Sequence, residues 1–342
     1  MTVKTVHTLI IGAGPAGLAA ATALAQAGRE VAVLERLSRV GAKPCAGGVP
    51  AAGIGAELPA ALRERSFQQQ RLITDRQDFT IGATSPLIHT VDREKLGAWQ
   101  REQATAAGAE IITGTRALRL DRQHVQTDQD EWRFSYLLGA DGSNSLVRRY
   151  LGLGLQHAGL GITYQVPGQF AQMEWHLLPS CFGNGYAWIF PHRDSASVGV
   201  YAYRGVLRSH LLHERLQQWA QKRGIDLAGL QSRAALVSFD YRGARFGNIL
   251  LAGDAAGLAS GLTGEGIAAA IYSGRQAAAA ILAETGEPPD LGKLLRRHAI
   301  HRRLAVVSAQ NQLAGRLLLE TLALALRHRL LAPGSLELSK PT

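Results

Sequence analysis

Two glycine-rich segments contain the residues of this chain best suited to binding a phosphate-bearing ligand. The first, Gly12-Ala13-Gly14-Pro15-Ala16-Gly17, lies between a short apolar run and an alanine-rich stretch. Gly12 permits a tight turn, Gly14 lets a pyrophosphate approach the backbone, and Gly17 lets a helix pack closely on its strand. Free N–H groups at the start of that helix bind phosphate oxygens. The predicted pyrophosphate-binding residues are therefore Gly12, Gly14, Pro15, Ala16 and Gly17.

An acidic residue follows this segment at the spacing expected of an adenosine-binding site. Glu35 ends the next apolar run, 18 residues after Gly17. At that position a carboxylate can bind both ribose hydroxyls and repel a 2′-phosphate. Because strand, helix and acid are in register, the pattern favours a dinucleotide site over a glycine-rich turn without ligand. Glu35 and the adjacent Arg36 are included among the predicted cofactor-binding residues.

The second glycine-rich segment covers residues 249–267 and lies about 240 residues after the first. Four apolar residues end at Gly253-Asp254, a loop of small residues follows, and Gly264-Glu265-Gly266 opens an alanine-rich helix. This is a second helix start of the phosphate-binding type. It indicates which dinucleotide the chain binds, which the first segment alone does not.

The elements that position these segments are predicted from apolar periodicity. A strand at 6–11, a helix ending at residue 27 and a strand at 30–34 form a βαβ unit. Helices are expected at 92–108 and 207–223, strands at 109–114 and 249–252, short antiparallel strands within 116–139 and 160–203, and a helical tail at 291–331. Residues 41–56 are rich in Gly, Pro and Ala and are expected to form a loop.

Composition excludes several classes of protein. The chain has 342 residues and a formal net charge of +10, but its basic residues are scattered and match no nucleic-acid motif, so we expect no nucleic-acid partner. Cys45 and Cys181 are the only cysteines, and no spacing suits a metal, so no metal site is predicted. We expect a cytoplasmic protein, because no signal sequence and no membrane-spanning run is evident.

Four blocks in the correct order resemble the p-hydroxybenzoate-hydroxylase-type flavoproteins. They are the first glycine segment with Glu35, Val91-Asp92-Arg93, Gly139-Ala140-Asp141-Gly142, and Gly253-Asp254-Ala255-Ala256. The resemblance implies FAD as cofactor and an α/β fold: a Rossmann-type FAD-binding domain with an inserted antiparallel β-sheet substrate domain and a C-terminal helical tail. It places Asp254 at the ribityl chain, Arg93 near the phosphates or ribityl, and Asp141 near the FAD-binding loop. It also implies flavin contacts from Gly253, Gly264, Gly266 and Ile267.

Two further motifs are similar to those of the geranylgeranyl reductase family. They are Lys43-Pro44-Cys45-Ala46-Gly47-Gly48 and Gly185-Tyr186-Ala187-Trp188-Ile189-Phe190-Pro191. The resemblance places Cys45, Ala46 and Gly47 beside the isoalloxazine, and Tyr186, Trp188 and Phe190 in the wall of a lipid-substrate cavity. From spacing alone the three aromatic residues are more often plain core, and the motif match favours the cavity wall instead. The chain departs from the family at Ala46, where glycine is usual, and at Ser260-Gly261, where the family has Asn-Pro.

The resemblance implies an FAD-dependent reductase of isolated C=C bonds in a polyprenyl lipid, with hydride from flavin N5. Two residues are candidate catalytic groups: Tyr186 as proton donor or positioning group, and Cys45 as a residue that gates the flavin or tunes its potential. The reductant is NAD(P)H or a ferredoxin-type donor. Two alternatives stay open: an FAD-dependent monooxygenase that hydroxylates an aromatic substrate, and a flavin-binding protein without turnover.

The predicted domains follow from these motifs. The FAD-binding domain takes 1–75, 92–158 and 240–287, the substrate domain 76–91 and 159–239, and a C-terminal helical region 288–342. The tail reads as basic amphipathic helices. They either dock peripherally on the anionic inner face of a membrane or pack on the FAD domain with a solvated basic face. The expected partners are an electron donor and a hydrophobic small-molecule or lipid substrate.

Overall fold

A computed structural model describes residues 3–287 and 289–338, except for the side chain of Leu336. The first two residues of the predicted FAD domain, and residues 288 and 339–342 of the predicted tail, lie outside the described residues. The strands are β1 (Val3–Ile11), β2 (Val31–Glu35), β3 (Gly48–Pro50), β4 (Arg65–Phe67), β5 (Gln69–Thr74), β6 (Asp78–Gly82), β7 (Ile88–Thr90), β8 (Glu110–Thr113), β9 (Ala117–Leu120), β10 (His124–Thr127), β11 (Glu131–Gly139), β12 (Ala158–Pro167), β13 (Glu174–Leu177), β14 (Tyr186–Pro191), β15 (Ser195–Tyr203), β16 (Arg233–Ser238), β17 (Arg245–Phe246) and β18 (Ile249–Leu251). The α-helices are α1 (Pro15–Gln26), α2 (Ile54–Glu57), α3 (Arg93–Ala106), α4 (Leu146–Tyr150), α5 (Pro179–Phe182), α6 (Ser209–Lys222), α7 (Gly253–Ala256), α8 (Ile267–Ala283), α9 (Gly292–Gln310) and α10 (Gln312–Arg327).

The first sheet brings the ends of the predicted cofactor motifs to one edge. Its strands run in the order β17-β18-β11-β1-β2-β8, and β1, β2, β8, β11 and β18 pair in parallel. In this register Ile11 lies opposite both Leu34 and Gly139, and Gly139 lies opposite Leu251. The chain therefore leaves all these strands at the same carboxyl edge, which is where open α/β sheets bind their ligands.

Helices α1 and α8 pack on one another with very little space between their backbones. A Cβ added at Gly274 of α8 would lie 2.1 Å from the Ala16 carbonyl oxygen, and one added at Gly17 would lie 2.0 Å from that of Gly12. Small residues at these positions let both helices approach the sheet and each other closely. Both helices begin at its carboxyl edge, one after Gly14 and the other after Gly266.

The second sheet has the order β16-β12-β15-β14-β13-β5-β6 and is antiparallel except where β13 pairs with β5. One face packs on α6, and the other carries an aromatic cluster that includes Tyr186, Trp188, Phe190 and Tyr201. The predicted fold class, a Rossmann-type domain with an inserted antiparallel sheet and C-terminal helices, is confirmed. The predicted domain boundary at residue 75 separates β5 from β6, although the two strands are hydrogen-bonded to each other. Residues 69–74 therefore belong to the second sheet. The remaining domain boundaries stay a prediction.

Residues 41–56, expected to be a loop, are partly ordered into elements. Strand β3 pairs with β7 in a small sheet with β4, and α2 forms a single turn. Local composition did not indicate this strand because its partner lies some 40 residues further along the chain. The pairing fixes the preceding segment, since Val91 N–H donates to the Gly47 carbonyl at 2.9 Å.

The tail forms two helices, α9 and α10. Asn311 ends α9 and caps α10, with its side-chain oxygen accepting from Ala314 N–H at 3.0 Å. Helix α10 lies against β5 and β6 of the second sheet, and α9 reaches β15. Among the described residues, no helix combines the length and apolar character needed to cross a bilayer.

Candidate flavin and lipid site

A continuous cavity of about 350 Å³ runs between the two sheets. It extends from the glycine segment of α1, past the Lys43–Ala46 segment and the loop before α8, to the aromatic face of the second sheet and α10. Fourteen of the predicted site residues line it: Gly14, Pro15, Ala16, Cys45, Ala46, Arg93, Tyr186, Trp188, Phe190, Gly253, Asp254, Gly264, Gly266 and Ile267. The fold thus brings both glycine segments and the two family motifs to one site.

Gly14 marks the end of the cavity suited to a pyrophosphate. A Cβ added there would meet no protein atom closer than 4.0 Å, and the backbone φ is −78°. The protein itself therefore does not require glycine at this position, and the open space suits a ligand pressed against the backbone. The first residues of α1 line this space, and the start of a helix carries partial positive charge.

Gly12 and Glu35 support the glycine turn from outside the cavity lining. Gly12 has φ +103°, and a Cβ there would lie 2.4 Å from the Ala140 carbonyl oxygen. The Glu35 carboxylate accepts from Ala13 N–H and from Leu37 N–H, each at 2.9 Å, so it fixes the turn to the end of β2. Arg36 follows on the exposed surface.

Arg93 lines the cavity with two guanidinium nitrogens that lack a partner within the described part of the chain. It begins α3, after Asp92 caps the helix by accepting from Glu94 and Lys95 N–H. Its Nε and Nη1 are buried and have no hydrogen-bond partner among the described residues. A buried guanidinium without a partner is costly, so an anionic ligand is the natural complement. Together with the open side of Gly14, this observation fits the phosphates of FAD.

Asp141 shapes the loop next to the cavity and does not line it. Its Oδ2 accepts from Leu146 N–H at 2.6 Å at the start of α4, while Oδ1 is buried without a partner among the described residues. Burial raises the pKa of this carboxyl above its ordinary value. Its neighbours Ala140 and Gly142 form the lining instead.

Asp254 receives two polar contacts at the centre of the cavity. Its Oδ2 accepts from Ser143 Oγ at 3.0 Å and from Lys43 Nζ at 2.6 Å. Its Oδ1 lies beside the start of α8, since a Cβ added at Gly266 would be 3.3 Å away. Sequence reasoning quoted Lys43 within the motif but did not select it, although its position just before Pro44-Cys45 was the available signal.

The loop at 260–266, here called the flavin loop, is held by side chains of the second sheet. The Tyr186 hydroxyl donates to the Thr263 carbonyl, and the Tyr201 hydroxyl donates to the Gly261 carbonyl at 3.1 Å. Gly264 has φ +69°, which favours glycine, and α8 begins at Ile267 with its first N–H groups facing the cavity. Burial raises the pKa of Tyr186 well above its ordinary value. A phenol that already donates to a carbonyl and holds its proton this tightly is a poor proton donor.

The aromatic residues form a connected wall. The Trp175 ring centroid lies 5.2 Å from that of Tyr186 and 4.8 Å from that of Phe190, and Tyr186 and Trp188 are 6.0 Å apart. Trp188 Nε1 donates to Ser197 Oγ at 3.0 Å, which satisfies its polar atom. These side chains are both core and cavity wall, so the two interpretations left open by their spacing are compatible. Trp175 was not predicted.

The Cys45 loop lies between the flavin end and this wall. Cys45 is exposed and lines the cavity, and its sulfur accepts from Gly47 N–H at 3.4 Å. Gly47 itself faces away from the cavity, because a Cβ there would lie 2.6 Å from both the Val91 carbonyl oxygen and the His192 ring. The His192 ring bridges Glu64 at 2.6 Å and the Ala46 carbonyl at 3.1 Å, which supports the loop from behind.

The far end of the cavity is apolar and is closed by the C-terminal helices. Leu72, Ile81 and Leu177 of the second sheet face α10 there. The α10 residues in the lining are Leu318, Leu319, Leu322 and Leu326. Sequence reasoning missed this wall because it treated the tail as separate from the site, although the leucine periodicity of α10 was visible.

This geometry defines an FAD-binding flavoprotein, and residues 5–166 match the FAD-binding domain family. Geranylgeranyl diphosphate reductase of Rhodobacter capsulatus is 30% identical over 316 residues, which cover 82% of this chain and 77% of that protein. The chloroplastic geranylgeranyl diphosphate reductase of Oryza sativa is 28% identical over 313 residues, covering 82% and 67%. The chain belongs to the geranylgeranyl reductase family and is an FAD-dependent oxidoreductase.

Solved structures agree on the fold. A geranylgeranyl bacteriochlorophyll reductase-like protein from Thermoplasma acidophilum superposes with a TM-score of 0.85 at 21% identity, covering 99% of this chain and 95% of that one. A probable FAD-dependent monooxygenase from Pseudomonas aeruginosa gives 0.63 at 19% identity, covering 96% and 98%. The fold is therefore shared by reductase-like and monooxygenase proteins, and the choice between them depends on the site.

Proposed function

We propose that this enzyme reduces isolated C=C bonds of a polyprenyl lipid. The observation that carries the proposal is the continuity of the cavity from Gly14 and Asp254 to the apolar end beneath α10. A long hydrocarbon chain needs such a dry extension beyond the flavin, with few polar groups along it. The named relatives reduce geranylgeranyl diphosphate, which supports the same class of substrate here.

The protein's contribution is to hold the cofactor and keep its reactive face dry. Gly14, Pro15, Ala16 and Arg93 would hold the phosphates, and Asp254 with the first turn of α8 would hold the ribityl chain and the pyrimidine edge. When bound and reduced, FAD supplies hydride from N5. Partial positive charge at the start of α8 favours the anionic reduced flavin.

The two candidate catalytic residues have different roles in this proposal. Tyr186 positions the flavin loop through Thr263, because its proton is committed to that carbonyl. Cys45, exposed at the junction of the flavin and lipid ends, gates the approach of substrate or tunes the flavin. An external reductant, NAD(P)H or a ferredoxin-type protein, supplies electrons.

The test is anaerobic. The FAD-loaded protein is reduced chemically and mixed with geranylgeranyl diphosphate, the corresponding alcohol, or a polyprenyl quinone, while flavin absorbance and product mass are followed. The proposal expects flavin reoxidation together with a product that has gained hydrogen at an alkene. Reoxidation that occurs only with oxygen and yields a hydroxylated aromatic product would establish the monooxygenase alternative. Tight FAD with no substrate-stimulated reoxidation would establish a binding protein without turnover.

We also propose that α10 contacts a lipid surface. Leu313, Leu317 and Leu324 recur at helical spacing on the face opposite the cavity, and their exposures are 71%, 69% and 48%. Arg327, and Arg316 with its Nη2 3.9 Å from Asp75 Oδ2, are exposed on the same helix and complement anionic headgroups. The exposed face of α10 thus combines apolar and basic side chains.

Vesicle sedimentation tests this contact. The protein should sediment with phosphatidylglycerol-containing vesicles more than with neutral ones, and Leu313→Ser/Leu317→Ser should abolish the difference. The control is Leu118→Ser, which replaces an exposed leucine of β9. Equal sedimentation of all three proteins would refute the contact.

A further inference from the structure

A buried hydrogen bond joins the flavin loop to the C-terminal helices. Ser260 Oγ and His301 Nδ1 lie 2.8 Å apart, and the two residues are 0% and 5% exposed. Ser260 begins the flavin loop, and His301 lies in the middle of α9. Ser260 is also one of the two positions where the chain departs from the family's Asn-Pro, so this contact is a feature of this chain's own residues.

Counting protons fixes the direction of that bond. Ser260 Oγ already accepts from Leu262 N–H at 3.2 Å and from Thr263 N–H at 2.9 Å. Its hydroxyl proton must then be donated, and the acceptor is His301 Nδ1. The ring is therefore neutral, with its proton on Nε2. Burial lowers the pKa of His301 to about 4, which agrees with a neutral ring at neutral pH.

A second contact ties the same loop to the end of the described chain. Glu265 Oε2 accepts from Leu338 N–H at 2.8 Å, and Arg297 of α9 donates to the neighbouring Glu337 carbonyl at 3.0 Å. The flavin loop is thus held from the side of α9 at both its beginning and its end. Helix α9 pairs with α10, which closes the apolar end of the cavity.

We propose that His301 is a positioning residue for the flavin. By accepting from Ser260, it fixes the turn that directs the Thr263–Gly266 backbone and the start of α8 at the pyrimidine edge of FAD. Loss of this acceptor leaves the Ser260 hydroxyl buried and unpaired and lets the turn relax. Since the start of α8 favours negative charge, the reduced flavin should lose more affinity than the oxidised one. This inference depends on FAD binding and not on the identity of the lipid substrate.

The test compares His301→Leu with His301→Asn, whose side-chain oxygen can accept where Nδ1 does, and with Ser260→Ala. The measurements are FAD affinity by titration of the apo-protein, the flavin midpoint potential by dye equilibration, and the melting temperature of the apo-protein. In His301→Leu we expect the affinity for reduced FAD to fall at least tenfold more than the affinity for oxidised FAD. This corresponds to a change in midpoint potential of about −30 mV or more for a two-electron couple. His301→Asn should stay close to wild type in potential.

Ser260→Ala removes the other partner, and the Ser260→Ala/His301→Leu double variant should be no worse than the more affected single variant, because both remove one interaction. His298→Leu is the matched control. His298 lies one turn earlier on α9, is 3% exposed, and packs on Tyr241 at a centroid distance of 6.4 Å. It should lower the melting temperature and leave the potential unchanged.

Two outcomes would overturn the proposal: a potential in His301→Leu that moves no more than in His298→Leu, or a folded His301→Asn protein with the same shift as His301→Leu. If His301→Leu does not fold, Ser260→Ala against His298→Leu decides the question with the same measurements. Neither result depends on lipid turnover, so the reductase proposal can fail separately.

Discussion

Lys43 and Asp254 form an ion pair with Nζ 2.6 Å from Oδ2, although 211 positions separate them in the chain. The pair joins the loop that carries Cys45 to the turn that begins the second glycine segment. Asp254 is nearly buried, with 12% of its side chain exposed, while Lys43 is 46% exposed. The ion pair therefore joins the Lys43–Gly48 motif to the second glycine segment at the cofactor cavity.

Removing the cation should weaken cofactor binding in a salt-dependent way. For Lys43→Gln we expect FAD affinity to fall about threefold at low salt, in line with the modest strength of half-exposed pairs. The difference should shrink at high salt. Fluorescence titration of the apo-protein measures both. Lys4→Gln removes a pair of similar exposure with Asp130, at 3.0 Å, and should leave FAD affinity unchanged.

Two glycines of one motif should respond differently to alanine. Gly14→Ala places a methyl group in open space, so the apo-protein should lose no more than about 1 kcal/mol of stability, the usual cost at a helix N-cap. Its FAD affinity should fall more than tenfold because the methyl group occupies the ligand's space. Gly17→Ala drives a methyl group onto the Gly12 carbonyl and should cost at least ~2 kcal/mol in the apo-protein. Urea unfolding and FAD titration separate the two; equal effects on both quantities in both variants would contradict this assignment.

Tyr186→Phe tests whether the phenol gives up its proton. A positioning role predicts a fall in turnover of less than about tenfold, whereas loss of a general acid costs about 10² to 10⁴. The variant should also alter the flavin absorption spectrum, because the Thr263 carbonyl loses its donor. Single-turnover reoxidation of reduced flavin by geranylgeranyl diphosphate measures the rate. A loss of a thousandfold with an unchanged spectrum would return Tyr186 to the role of proton donor.

Stability should depend on pH through two buried histidines of α9. Burial lowers the pKa of both His298 and His301 from 6.5 to about 4. Below pH 6.5 the unfolded chain binds protons that the folded protein does not, so stability is lost as the pH falls from 6.5 toward 4. Each histidine contributes a slope of up to ~1.4 kcal/mol per pH unit. In the double variant His298→Asn/His301→Asn, the melting temperature should change less with pH between 6.5 and 4. An unchanged dependence of melting temperature on pH would show that the two histidines do not cause it.

The depth of the apolar end should select chain length. Leu322→Trp fills part of the space beneath α10 and should lower kcat/KM for geranylgeranyl diphosphate more than for farnesyl diphosphate. Leu317→Trp changes the exposed face of the same helix and should leave the ratio unchanged. The quantity to measure is the ratio of the two kcat/KM values in each variant.

The parallel sheet and its glycine turns were predictable because their constraints are local. Strand β1 ends in the apolar run Leu9–Ile11, Gly12 adopts a positive φ that favours glycine, and a Cβ at Gly17 would meet the Gly12 carbonyl oxygen five residues earlier. The sequence predicted that the second sheet is antiparallel but not which strands belong to it. Its strand β5 pairs with β13, about a hundred residues away, and periodicity carries no information about such a partner.

The site was predictable where a motif exists and not where the fold creates it. Tyr186 and Trp188 were found through the motif similar to that of the geranylgeranyl reductase family, and both line the cavity. Lys43 was not selected because its role depends on its contact with Asp254. Trp175 was not selected because it lies on a strand without a motif. The contact of His301 with Ser260 joins two distant segments that show no common signal in the sequence.

The sheet pairings also order events during synthesis. Strand β18 inserts beside β11, and α8 completes the cofactor cleft, only after all of the second sheet has been made. The aromatic wall therefore exists before α10, its leucine counterpart, leaves the ribosome. We expect an interval in which a nascent chain can already take up FAD while its lipid-binding surface still faces water, and in which that surface depends on chaperones for protection.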